Sequence, residues 1–214
     1  MGNSVNDVDI MVIGDGILFA KKLAKDLGVN KTIPFEKFGT ARIPYNKIQI
    51  EVSSARKEDY EAVSRKPSKV QHTDLKGDLV RRDFTINAMA IDIHPNRFGD
   101  LEDPYSGVRD IEKKILKTPL NSNETFSEDP LRVMRAAYFA AKLGFKLDNE
   151  CSKAMREQAH RISIVSSERV RDEFIKILQT DRPSIGLVIL QKIGLMKIIF
   201  PEIHRMYGME QSPE

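Results

Sequence analysis

Two aspartates set two residues apart, Asp7 and Asp9, enter the apolar run VDIMVI and are the first residues whose types and spacing could do chemistry. Side chains at i and i+2 of a strand project from one face. A strand over residues 8–13 therefore places both carboxylates side by side, while Val8, Ile10 and Val12 take the core-facing side. Adjacent carboxylates repel each other unless a cation lies between them. A hard divalent ion such as Mg2+, which prefers oxygen ligands, suits such a pair. In a two-metal site the ions stand roughly 3.5–4 Å apart and stabilise the attacking and leaving oxygens of a displacement. The plainer reading of the same pattern is a solvated strand edge. IQIEV at 48–52 offers a third carboxylate, because Ile48, Ile50 and Val52 share one face and leave Glu51 on the other with Gln49.

RRDFTINA at 81–88 brings two guanidiniums, a carboxylate and an amide together. Arg81 and Arg82 are suited to clamp triphosphate oxygens bidentately, Asp83 to accept from a ribose hydroxyl, and Asn87 to orient either. Phe84, Ile86 and Ala88 read as core. EDPLR at 128–132 is expected to open a helix, with Asp129 and Arg132 (i, i+3) and Glu128 and Arg132 (i, i+4) on one face and Arg135 a turn further on. Such pairs can be simple intrahelical salt bridges, worth a few tenths of a kcal/mol when exposed. They can also read a base. A carboxylate accepts from an exocyclic amine while an arginine donates to the ring nitrogen beside it. Cytosine and adenine present that edge; guanine and uracil present a carbonyl beside an N–H. One Asp/Arg pair thus admits CTP and ATP and refuses GTP and UTP.

The elements that must position these residues follow from periodicity and punctuation. A helix is expected over 17–27 with Gly28 closing it, and strands over 38–45 and 47–55. Residues 55–79 are polar and lysine-rich and read as a mobile loop, 85–93 as ending in a strand, and 94–107 as turn-rich. Beyond about residue 120 the pattern is helical only. One helix is expected over 127–144, with Ser127 as N-cap, Pro130 in the first turn and Gly144 at its end; others cover 149–159, 167–179, 183–193 and 195–199. The fold class is α+β: an α/β part of residues 1–120, then an all-α part of residues 121–214.

Composition bounds what these motifs can serve. With 214 residues, 41% hydrophobic and 30% charged, the chain can bury a core and has the charge content of a water-soluble protein. Its 34 basic and 31 acidic side chains leave a net charge of only +3, so contact with RNA must come from local clustering of charge. A single cysteine, Cys151, excludes an intramolecular disulfide framework and a cysteine-rich zinc site. His72, His94, His160 and His204 show no ligand spacing. No apolar run nears the roughly 18 residues that span a membrane, and no signal-peptide core opens the chain, so a cytoplasmic location without membrane partners is expected.

Taken together, NDVDIMVIGDG, FEKFGTARI, ARKEDY, RRDFTINAMAI, DPYSGVRDIEKKIL and EDPLRVMRAAYFAAKLGF resemble the class II CCA-adding enzymes. These are polymerase β-like members of the poly(A) polymerase/tRNA nucleotidyltransferase family. The resemblance implies a nucleotidyltransferase head at 1–120 and a helical neck at 121–214. It implies that Asp7 and Asp9 bind two Mg2+ ions, with Glu51 as a further catalytic carboxylate. Arg81, Arg82 and Asp83 would contact ribose and triphosphate, and Glu128, Asp129 and Arg132 would form the template for the base. Asp103, Gly107 and Asp110 match the family's flexible DPxxGxxD segment, implicated in passing from CTP to ATP selection. The implied activity is addition of CMP and AMP to the tRNA 3′ end from CTP and ATP. Bacterial poly(A) polymerases and enzymes adding only CC or A share the head motifs. A nucleotide- or RNA-binding module without catalysis is the alternative from another class. The chain departs from the family pattern in three ways. The strand–helix carrying GGxVRD is missing, since only MGNSVN stands before Asp7. Tyr138 stands where arginine is usual. EQSPE ends the sequence before the tRNA-gripping body and tail.

Overall fold

Alternation in the first strand decides which way its aspartates face. The computed structural model describes residues 7–60 and 67–210. The described residues form two compact units, residues 7–59 with 67–79, and residues 60 and 80–210.

In the first unit, β1 (Asp7–Val12) runs parallel to β4 (Ile48–Ser54). A parallel pair needs a crossover, and α1 (Gly16–Asp26), β2 (Ile33–Phe35) and β3 (Thr40–Tyr45) lie within it. The four strands form one sheet in the order β1-β4-β3-β2, with β3 antiparallel to both its neighbours. Ala20 and Ala24 of α1 pack with Ala41, Ile43, Ile50 and Val52, and Val8, Ile10 and Val12 join this core. The face expected to be apolar is thus the buried one. Asp15 caps α1 by accepting from the Leu18 N–H at 2.9 Å. The Gly16 N–H donates to the Ser54 hydroxyl at 2.9 Å, and a Cβ added at Gly16 would stand 2.7 Å from the Ser54 nitrogen and 2.9 Å from the Gly39 carbonyl.

Most of the segment expected as a loop over 55–79 is regular structure. β5 (Arg56–Tyr60) pairs with β6 (Pro67–His72), and α2 (Leu75–Val80) follows; residues 61–66 of the expected loop lie outside the described residues. A two-stranded ribbon is held by backbone N–H and C=O groups, so lysine-rich composition is a poor guide against it.

The second unit begins with a 3₁₀ turn at Thr85–Asn87 and the short antiparallel pair β7 (Ala90–Ile91) and β8 (Leu101–Glu102). The segment 85–93, expected to end as a strand, does so over the two residues of β7. α3 (Gly107–Lys113), β9 (Ile115–Leu116), α4 (Ser122–Glu128), α5 (Leu131–Leu143) and β10 (Lys146–Leu147) follow. The chain then runs through α6 (Asn149–Gln158), α7 (Ser167–Leu178), α8 (Pro183–Lys192), α9 (Leu195–Ile199) and α10 (Pro201–Arg205). The core is built on α5, whose Val133, Met134, Ala136, Ala137 and Ala140 are buried, with Ile177 of α7 and Leu190 of α8.

Two helices stand where one was expected over 127–144. Pro130 disfavours helical backbone at the residue before it, and Asp129 is extended at φ −134°, ψ 100°. The change from mixed to helical pattern near residue 120 is real in the sequence, but packing divides the chain earlier, between Leu79 and Val80. Phe84 and Leu116 are buried in the same core as α5. Among the described residues, no helix is long and apolar enough to cross a membrane.

Two expectations follow. Gly16→Ala forces a methyl against backbone that cannot rotate away, and should lower stability by about 1–3 kcal/mol, read as a lower urea midpoint. Cys151 is fully buried, and burial, aided by the charge of Asp148, pushes its thiol up to about 12. It should resist a thiol reagent at pH 8 until denaturant is added; rapid labelling of the folded protein would contradict this packing.

Candidate active site

The sheet of the first unit carries the acidic residues on one face. In the β1–β4 register Asp7 stands opposite Gln49 and Asp9 opposite Glu51. Paired residues in a sheet share a face, so Asp9 and Glu51 are neighbours and Asp7 lies one pleat away on the same side. Asp7 and Asp9 are exposed and Glu51 is half-buried. Glu51 Oε2 accepts from Arg42 Nε at 2.8 Å, and the Arg42 guanidinium lies 5.2 Å from the centre of the Phe35 ring. Among the described residues, no group of three His, Cys, Asp or Glu side chains converges into a cation-holding cluster. As a donor set, three carboxylates on one sheet face fit a hard divalent cation.

The second unit gathers RRDFTINA and EDPLR into a network of ion pairs. Asp83 is buried. Its Oδ1 accepts from the Phe84 N–H at 2.9 Å and Asn87 Nδ2 at 3.0 Å, and its Oδ2 accepts from Arg135 Nε at 2.7 Å, with Arg135 Nη2 in ion-pair contact at 2.6 Å. That engages most of the roughly four acceptor positions of a carboxylate. Asn87 thus orients Asp83, and a ribose hydroxyl would have to compete with these donors. Burial draws the Arg135 guanidinium down, but the charge and hydrogen bond of Asp83 outweigh it and hold this arginine above its ordinary range.

Arg132 is 9% exposed. Its Nη1 donates to the Thr125 carbonyl and to Glu128 Oε2, both at 3.0 Å, and its Nη2 donates to the Arg81 carbonyl at 2.6 Å. Glu128 and Arg132 therefore pair as expected, although a helix break lies between them. The shared helical face expected for Asp129 and Arg132 is not found. Asp129 lies in the extended link ahead of Pro130; its Oδ1 accepts from the Leu131 N–H at 3.1 Å and its Oδ2 from Arg169 Nη2 at 3.1 Å. Arg81 and Arg82 are half-buried in the same unit.

The DPxxGxxD segment is a capped helix start in this structure. Asp103 accepts from the Gly107 N–H at 2.6 Å and the Val108 N–H at 3.0 Å. A Cβ at Gly107 would meet the Thr85 carbonyl at 2.3 Å, and the buried Asp110 accepts from the Thr85 hydroxyl at 2.6 Å. Asp103, Gly107 and Asp110 are thus tied to RRDFTINA through Thr85.

Sequence reasoning passed over Arg42, Arg169 and Glu173. Glu173 was the most accessible of these: it sits at helical spacing within the apolar stripe Val170, Phe174 and Ile177 of α7, and it is buried. Its Oε1 accepts from Lys176 Nζ at 2.6 Å. With Leu131, Arg135, Arg169, Asp172 and Lys176 it lines a polar cavity of about 210 Å³ between α5 and α7.

Residues 1–117 match the family model described as the poly A polymerase head domain, and residues 144–207 match a probable RNA- and SrmB-binding site of polymerase A. An A-adding tRNA nucleotidyltransferase of Aquifex aeolicus is 38% identical over 195 residues, 85% of this chain and 23% of its own length. A multifunctional CCA protein of Vibrio campbellii is 42% identical over 146 residues, 66% of this chain and 34% of its own. A tRNA nucleotidyltransferase solved with a primer tRNA and an incoming ATP analogue superimposes with a TM-score of 0.81 at 33% identity, covering 99% of this chain and 57% of that one. The chain spans about a quarter to a third of the length of these curated relatives. With the head-domain model covering more than half of its residues, the chain belongs to the poly(A) polymerase head-domain family of nucleotidyltransferases, the family of the tRNA nucleotidyltransferases.

Proposed function

We propose that the chain carries the nucleotidyl-transfer chemistry of a cytoplasmic tRNA nucleotidyltransferase, adding CMP and AMP to the tRNA 3′ end from CTP and ATP with Mg2+. The observation that carries this reading is the β1–β4 register, which sets Asp9 beside Glu51 with Asp7 on the same face. The terminal 3′ hydroxyl attacks the α-phosphorus of the incoming nucleotide. A P–O bond forms, the bond to pyrophosphate breaks, and the hydroxyl proton is released. Asp7, Asp9 and Glu51 are the residues that would hold Mg2+, which when bound supplies stabilisation of charge on the transferring phosphoryl group.

The remaining roles fall to the helical unit. Arg81 and Arg82 hold triphosphate oxygens, and Asp83 exchanges one of its donors for a ribose hydroxyl while keeping Arg135 and Asn87 in place. Asp129 accepts the exocyclic amine of cytosine or adenine. Arg132, supported by Glu128, supplies the donor to the adjacent ring nitrogen. Gly107 and Asp110 act on base choice through Thr85, whose carbonyl and hydroxyl they adjoin, and Asp103 acts by holding the Gly107 and Val108 N–H groups.

A second reading, addition of A alone, is favoured by the A-adding relative that matches 85% of this chain. Single-nucleotide incorporation separates the possibilities. On tRNA lacking its end, the protein with Mg2+ is expected to incorporate CMP and then AMP. AMP transfer onto tRNA ending in CC, without any use of CTP, would establish the A-adding reading instead. Long AMP runs would place the chain with the poly(A) polymerases. A rise in melting temperature with CTP but no product would leave a nucleotide-binding module.

Asp7→Asn and Asp9→Asn should each lower incorporation roughly 100-fold or more, since metal-assisted stabilisation is worth several kcal/mol. Both side chains are exposed, so circular dichroism should be unchanged. Asp129→Ala and Asp129→Asn should erode the preference for CTP over UTP by about tenfold, within the roughly 1–3 kcal/mol of a bidentate base contact, with less effect on KM for CTP. Selectivity that survives both changes would remove Asp129 from base reading.

A further inference from the structure

We propose that Arg42 is a resident counter-ion for Glu51, a charged side chain that competes with the divalent cation for the third carboxylate of the acidic face. This rests on the reading of Asp7, Asp9 and Glu51 as that cation's ligands.

The registers place the residues in one row across the sheet. Asp9 on β1 stands beside Glu51 on β4, Glu51 beside Arg42 on β3, and Arg42 beside Ile33 on β2. The Arg42–Glu51 contact is a single 2.8 Å bond from Nε to Oε2. The guanidinium is steadied from below by the Phe35 ring at 5.2 Å, close to the stacking distance of a cation–π pair. A dication seated between Asp9 and Glu51 would face this guanidinium across one carboxylate. The two cations then draw on the same negative charge, and each weakens the hold of the other.

The influence of Arg42 passes through Glu51 and not through space to the metal. Strands in a sheet lie about 4.8 Å apart, so the Arg42 and Asp9 backbones stand roughly 10 Å apart, two strands away. That is about one Debye length at 0.1 M salt, and both side chains of the Arg42–Glu51 pair are open to solvent, at 49% and 39% exposure. Solvent weakens the field of Arg42 at Asp9, whereas its bond to Glu51 is direct. An exposed pair of this kind changes an affinity by about two- to fivefold.

Titration with Mn2+, followed by the loss of the free-ion electron paramagnetic resonance signal, reads this without requiring turnover. Arg42→Gln should tighten Mn2+ binding about two- to fivefold, and Arg42→Lys, which keeps the charge but loses the planar fork, should fall between it and the wild type. In a Glu51→Gln background, Arg42→Gln should change nothing. Unchanged or weaker binding in Arg42→Gln would overturn the proposal, as would equal tightening with and without Glu51. Asp9→Asn is the separate control. If it leaves Mn2+ binding intact, the acidic face is not the metal site and the proposal falls with that reading. If it abolishes binding while Arg42→Gln has no effect, only the counter-ion role is lost.

Discussion

A guanidinium buried to nine-tenths must find partners for its N–H groups, because an unpaired buried charge is far costlier than an unpaired dipole. Arg132 finds them in two segments apart from its own: the Thr125 carbonyl and the Glu128 carboxylate of α4, and the Arg81 carbonyl at the start of RRDFTINA. Only Glu128 neutralises charge; the two carbonyls contribute oriented dipoles. The effect is to fix the backbone of Arg81 against the start of α5. Two residues later Asp83 meets Arg135, one turn along the same helix. The candidate triphosphate and sugar residues are therefore hung on α5 by two arginines, one bound to backbone and one to a carboxylate.

Each carboxylate of this network is held by an arginine from another segment. Asp83 is held by Arg135, and Asp129 by Arg169 of α7. Side chains whose hydrogen bonds are already made need little reordering when a ligand arrives, which is the physical content of a preorganised site. The same saturation sets a condition on binding. On the proposed roles, a base amine or a ribose hydroxyl would enter by exchange for an existing donor, so affinity would reflect the difference between two sets of hydrogen bonds and not the sum of the new ones.

What the sequence made legible was whatever depends on local periodicity. The period of two put Asp7 and Asp9 on one face of VDIMVI and Glu51 on the polar face of IQIEV, which the β1–β4 register then sets side by side, and α6 to α9 fall within a residue or so of their expected limits. The ribbon of β5 and β6 was missed because backbone pairing leaves no apolar signature. The common face of Asp129 and Arg132 failed for a local reason that was available, since Pro130 extends the residue before it. The division at Leu79–Val80 and the partners Arg42, Arg169 and Thr85 were not legible. They depend on which segments meet in space, as Phe84 and Leu116 do when they join the core of α5.

The acids of the chain fall into two physical classes, and the difference bears on what each can do. Asp83 and Asp110 are buried with their oxygens engaged by protein donors. A cation could reach them only by displacing those donors within a poorly solvated interior, so they serve better as anchors for neighbouring groups. Asp7 and Asp9 stand exposed at the start of a strand, where a cation would arrive from solvent and not through a packed interior. Glu51 lies between the classes, half-buried and tied by one bond to Arg42. A carboxylate held by a single exposed bond is ordered beside Asp9 and yet can be released, so on the proposed reading the strength of that one ion pair would set how fully Glu51 is shared with a cation.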